Sequence, residues 1–316
     1  AGLFNEVLVG EVDGVDHLGH AVLGSDFDLH ILLCPVSCPL FGGGCKQSVI
    51  TGIRKLCRQR ITGSGNIITR RVNIADFSRI ETSRAVHLVV EKRSGREAII
   101  EADDNIMPYV IVEVDGGCLT VSIDNEIKSL NDVTVKVTVP SDGNISAISA
   151  SSASKVTVQA EIKTPKLMLD ASSAANINIT KSDVGTCSID ASSAANVEGA
   201  IKADNCVIDM SSASDVNVAL LAVKCDVTAT SAASATLSGE AGDIDLSASS
   251  AAKIDAMDLN ARNAEAEASS GGSIKVTCMK SIDASASSGG SVKYAAKGDL
   301  DSELKHTSSG GSVRKL

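Results

Sequence analysis

From about residue 150 onward, apolar and polar positions alternate in short bursts that return with a fixed period. Nine copies of one small-residue phrase mark the period. They begin at Ser151, Ser172, Ser192, Ser211, Thr230, Ser249, Ser269, Ser287 and Ser308, at intervals of 18 to 21 residues. The first six read Ser/Thr-Ser-Ala and the last three Ser-Ser-Gly-Gly. Five residues before the phrase stand Leu167, Cys187, Cys206, Cys225, Ile244, Ala264 and Ile282; three before it stand Leu169, Ile189, Ile208, Val227, Leu246, Ala266 and Ala284. The positions between them are mostly polar, as at Ser188, Asp226, Asp245 and Asp283. After the phrase the alternation resumes with Ile177, Val197, Val216, Ile254, Ile274 and Val292. Period-two alternation is the mark of a strand with one buried face. Each repeat therefore predicts strand, small-residue corner, strand and return.

A repeat near twenty residues that cannot bury its own apolar face must stack on its copies. Equivalent strands then pair in parallel, about 4.8 Å apart. The predicted fold class is all-β: a parallel β-helix of ~20-residue coils, with nine coils over 150–316, preceded by a β-rich capping segment over 61–149. Small corner residues let the backbone turn and stack. The pairs Gly271-Gly272, Gly289-Gly290 and Gly310-Gly311 are expected to use positive φ, and the corner hydroxyls of Ser172, Ser192 and Ser211 to hydrogen-bond along the stack. In 61–149, strands are predicted near 66–69, 86–90, 98–101, 110–113, 119–122 and 133–139, before the turn Pro140-Ser141-Asp142-Gly143. Thr82-Ser83-Arg84-Ala85-Val86 is a degenerate corner, so coiling is expected to begin there. A cap is needed because a β-helix otherwise ends in an open strand edge.

Residues 1–60 carry no repeat phrase. The run Ile31 to Phe41, followed by Gly42-Gly43-Gly44-Cys45, resembles the apolar region and cleavage site of a bacterial lipoprotein signal, with Cys45 as the lipidated residue. Gly43 stands where such a site usually has Leu, and the preceding thirty residues are acidic. The alternative is a lead segment outside the fold. The run is too short to span a bilayer as a helix.

Gly63-Ser64-Gly65-Asn66, Asp76-Phe77-Ser78-Arg79-Ile80 and the stretch Ala102 to Val110 (Ala-Asp-Asp-Asn-Ile-Met-Pro-Tyr-Val), followed by the serial Ser-Ser-Ala/Gly coils, resemble a bacterial family described as "putative auto-transporter adhesin, head GIN domain". The resemblance covers roughly 61–316. It implies an exported β-helical envelope protein, often a lipoprotein, with adhesion as its suggested task and no catalytic residues to carry over.

Composition narrows the chemistry. Net charge is −10 and no basic stripe occurs, which argues against nucleic acid as a partner. Aromatics are 2% of 316 residues, so the core must be aliphatic and platforms for sugar rings are scarce. Cys187, Cys206 and Cys225 recur at the repeat period and read as a ladder of buried thiols, since Cys behaves as a small hydrophobe. Cys34, Cys38, Cys45 and Cys57, with His17, His20 and His30, match no zinc spacing. Asp170, Asp190 and Asp209 recur two before the phrase and read as solvated outer carboxylates. A β-helical polysaccharide enzyme would cluster such groups with a basic side chain in a cleft formed by a long loop, and no long insertion interrupts the coils.

The resulting expectation is a non-enzymatic envelope protein, an adhesin or surface scaffold. It would be exported to the outer membrane or a periplasm-facing site and mainly monomeric, with a lipid anchor at Cys45. No catalytic, cofactor or metal residues are assigned. A glycan or another cell-surface component is the expected partner. The competing readings are a polysaccharide-processing enzyme and a glycan-binding module; a lattice-binding surface lacks the Thr-x-Thr rows it would need.

Overall fold

The computed structural model describes residues 60–316 and the two-residue strands His20–Ala21 and Ile31–Leu32, which pair antiparallel. Cys45 and most of the lead segment lie outside the described residues. Residues 62–124 and 132–316 form one compact unit.

Within that unit the repeats build a parallel β-solenoid. The strands Asn176–Ala191, Asn196–Met210, Asp215–Ala229, Ser234–Ala248 and Lys253–Ala268 each run from one corner to the next. Each pairs in parallel with its successor. The coil length varies by a few residues. That variation is absorbed on the return side, where register shifts fall between Ile179 and Ser182, Thr236 and Ser238, and Ala256 and Asn260.

The inward rows are continuous. Leu167, Cys187, Cys206, Cys225 and Ile244 stack in register, as do Leu169, Ile189, Ile208, Val227 and Leu246. From the far side of the corner they meet Val156, Ile177, Val197, Val216 and Ala235. All are buried. Period two leaves the intervening side chains outside.

The corner has an unexpected backbone. Its second and third residues both take positive φ, as at Ser193 (53°) and Ala194 (60°), and this recurs in ten stacked corners. The amide of the fourth residue donates to the carbonyl of the first, Ala195 to Ser192 at 3.1 Å. That is the pattern of a type I′ turn, normally the province of Asn-Gly. Non-glycine residues held there cost about 1–2 kcal/mol each. The cost is offset by stacking: the third amide donates to the second carbonyl one coil on, Ala153 to Ser173, Ala174 to Ser193 and Ala194 to Ser212, at 2.9–3.0 Å. Main-chain amides, and not the expected hydroxyl ladder, stitch the ridge.

The glycine expectation needs correcting. Only the first of each pair has positive φ, Gly271, Gly289 and Gly310 at 75° to 77°. Gly272, Gly290 and Gly311 are needed for closeness: a Cβ there would lie 2.2–2.3 Å from the carbonyl oxygens of Ala248, Ala268 and Ala286.

Coiling does begin at the degenerate phrase. Arg84 and Ala85 have φ of 63° and 58°. The flanking strands Arg79–Thr82 and His87–Lys92 pair in parallel with Ala147–Ala150 and Lys155–Val158. Beyond them Cys118–Ile123 and Val135–Ser141 extend the two parallel ladders. Antiparallel strands then close this end: Val110–Asp115 on Cys118–Ile123, and Ile67–Asn73 on Glu97–Asp103.

Candidate functional site

Two of the motifs that carry the family resemblance, Gly63 to Asn66 and Ala102 to Val110, meet in one clamp at the N-terminal end, while Asp76 lies apart and pairs with Arg96. Asp103 is buried, and its two carboxylate oxygens accept the amides of Gly65 and Thr134, each at 2.7 Å. The adjacent Asp104 accepts the Ser64 hydroxyl at 2.6 Å and the Asn66 side-chain amide at 2.9 Å. Those two hydrogen bonds hold its carboxyl below the usual range. Asn105 donates to the Thr62 carbonyl at 2.8 Å. Gly63 leaves room for this, since a Cβ there would meet the Asp132 carbonyl at 2.3 Å. Both oxygens of each carboxylate are occupied by donors from the chain itself. The clamp fastens loops together, and nothing in it is poised to react.

Cys187, Cys206 and Cys225 lie in one inward row and are buried. Hydrogen bonding to Cys206, together with burial, pushes the Cys187 and Cys225 thiols well above their ordinary range. The same hydrogen bonds lower the Cys206 pKa, so it is burial of all three side chains that keeps the row out of reach of reagents. Among the described residues no group of three His, Cys, Asp or Glu side chains is arranged to hold a metal ion.

Asp170, Asp190 and Asp209 form an outward row, bordered by Ser192, Ser211 and Thr230. Partial burial, then repulsion from Asp209 and Asp170, raises the Asp190 pKa. No Lys or Arg lines this hollow.

A second acidic row recurs four residues before the phrase, at the polar positions between the inward ones. Register aligns Asp226, Asp245, Glu265 and Asp283, and Asp243 stands on the next row. Asp243, Asp245, Glu265 and Asp283 share a hollow with Lys224, whose ammonium lies 3.0 Å from Asp226. These residues are 18 to 20 apart in the chain and become neighbours only through coil stacking.

The return side carries a third feature that the sequence reading missed. Leu221, Val223 and Met279 project there, 50%, 64% and 45% exposed. Between Leu221 and Met279, beside Val223, runs a shallow groove of about 620 Å³ floored by Ala222, Ala241 and Gly242 and bordered by Arg262, Lys280 and Lys297.

Solved structures share the architecture. A "putative lipid binding protein" from Parabacteroides distasonis ATCC 8503 aligns with 82% of this chain and 100% of its own, at 18% identity and a TM-score of 0.58. A "putative adhesin" from the same organism aligns with 82% and 100%, at 17% identity and 0.57. A "putative adhesin" from Parabacteroides merdae ATCC 43184 covers 81% and 99%, at 16% identity and 0.55. At those identities the likeness is one of fold. No curated protein matches the sequence. The sequence pattern of one family matches residues 76–200 and again 186–298, and the chain belongs to it: "Putative auto-transporter adhesin, head GIN domain".

Proposed function

We propose that this chain is a non-catalytic β-helical adhesin or surface scaffold of the bacterial cell envelope, presenting regular rows of side chains to a glycan or another cell-surface component. The observation that carries this reading is the unbroken corner ridge. Each coil repeats the same hydrogen-bonded turn, so outward groups recur about every 4.8 Å. A rigid lattice of that kind offers many weak contacts in fixed order, which favours multivalent binding. The family description supports the assignment. Export, anchoring through Cys45 and a monomeric state belong to the same proposal.

The test is binding of the full chain to an array of bacterial and host glycans, alongside cell-surface fractionation of a Cys45→Ala variant. Saturable glycan binding and loss of the membrane fraction on substitution are the expected results. Absence of binding to any glycan would remove the glycan part of the proposal.

A second reading, polysaccharide processing, is favoured by one observation: Asp243, Asp245, Glu265 and Asp283 share a hollow with Lys224. Release of reducing ends from an acidic polysaccharide, abolished by Asp245→Asn, would establish it in place of the scaffold.

A further inference from the structure

We propose that the return side between Leu221 and Lys297 docks on an anionic lipid bilayer. This is a membrane contact separate from any anchor at Cys45 and from adhesion. The groove joins two features that rarely meet on an acidic protein. Leu221 and Val223 lie two apart on one strand, so both side chains point outward while Ala222 between them turns in. One coil on, Gly242 pairs beside Val223, and a Cβ at Gly242 would stand 2.4 Å from the Val223 carbonyl oxygen. The bare backbone therefore leaves a depression between the Leu221–Val223 pair and Met279.

The rim supplies positive charge. Arg262 and Lys280 make no ion pair or side-chain hydrogen bond among the described residues, and Lys297 donates to the neutral Asn260 side chain at 2.6 Å. Glu240 is the one carboxylate lining the groove. Elsewhere the balance differs. Further up the return side Lys202 is paired with Asp183 at 2.9 Å, and the acidic row of Asp245, Glu265 and Asp283 lies on a different face.

The partner that fits must offer anion and hydrocarbon together. A soluble polyanion would engage the cations and leave Leu221, Val223 and Met279 in water. An anionic phospholipid surface satisfies both, with phosphates on Arg262, Lys280 and Lys297 and the apolar side chains at the boundary of the acyl region. Five successive coils contribute, so the contact is about 20 Å long at the spacing of stacked strands. A solenoid face presents those coils side by side, and a bilayer can reach them at once.

The experiment uses the full chain carrying Cys45→Ala, so that no acyl anchor contributes. Co-sedimentation with vesicles containing phosphatidylglycerol is compared with pure phosphatidylcholine. Binding only to the anionic vesicles, weakened by salt, is expected. Arg262→Glu with Lys280→Glu should weaken it by roughly tenfold or more. The matched reversal Lys253→Glu with Lys293→Glu, on another face, should leave it within about twofold. The chain has no Trp, so Val223→Trp gives a clean probe whose emission should shift to the blue on the anionic vesicles. The proposal is overturned by equal binding to both vesicle types, by equal loss in the two reversal variants, or by no vesicle binding. It is equally overturned by unshifted Trp emission in a variant whose circular dichroism matches the parent.

Discussion

Glu303 occupies, one coil on, the inward position held by Ile282, and it receives the hydroxyl hydrogen bond of the buried Tyr294. The last coil therefore turns charge toward the end of the aliphatic core. Lys305 sits 5.2 Å above the Tyr294 ring, and Lys315 approaches Glu303 at 3.4 Å.

This lid predicts an acid-sensitive end. The Lys305 ammonium, then the Tyr294 hydroxyl, lower the Glu303 pKa from 4.5 to about 2. A carboxylate with a depressed folded pKa contributes stability above its unfolded pKa, and that contribution fades as pH falls from about 4.5 toward 2. Glu303→Gln should remove this part of the pH dependence. Thermal unfolding of both proteins across that window checks it; parallel curves would show that the lid does not couple to folding.

Neighbouring glycines should respond differently to the same change. Gly271 has positive φ but nothing near its missing side chain, so Gly271→Ala is expected to cost about 1 kcal/mol. Gly272 faces backbone atoms of Ala248 at 2.3 and 2.7 Å, which cannot rotate aside. Gly272→Ala should cost about 1–3 kcal/mol and loosen the corner. Urea unfolding of the two variants ranks them, and the reverse order would refute the packing argument.

The clamp makes a local prediction. In Asp103→Asn one acceptor becomes an amide donor that faces a main-chain N–H. The expected loss is about 1.5–3 kcal/mol, as for hydrogen bonds to a charged group. Amide hydrogen exchange at Gly65 and Thr134 should accelerate first. Unchanged protection at both positions would show that the loops are held by other contacts.

The thiol ladder predicts silence. Cys187, Cys206 and Cys225 should all resist a thiol reagent in the native protein and react together once it is denatured. Cys206→Ser would bury a hydroxyl among thiols and should cost about 1–3 kcal/mol. Rapid native labelling of any one of the three would place this strand face outward.

The solenoid was legible because a strand has two faces and only one of them is apolar here. Leu169, Ile189 and Ile208 fall at one phase of the phrase, which dictates both the inward row and its registration with the next coil. The phrase at Thr82 to Val86 marked the first coil for the same reason. What alternation does not encode is the neighbour across coils wherever coil length varies. Insertions are taken up as bulges on the return side, so the groove beside Gly242 and the approach of Met279 to Arg262 emerged only on stacking. Composition likewise named small corner residues without choosing their backbone. Tertiary stacking holds Ser193 and Ala194 in a turn they would avoid alone, because each added coil supplies a hydrogen bond that the isolated phrase lacks. The inward turn of Glu303 was decided the same way: in sequence it is one more surface charge, and only the register with Ile282 places it over the core.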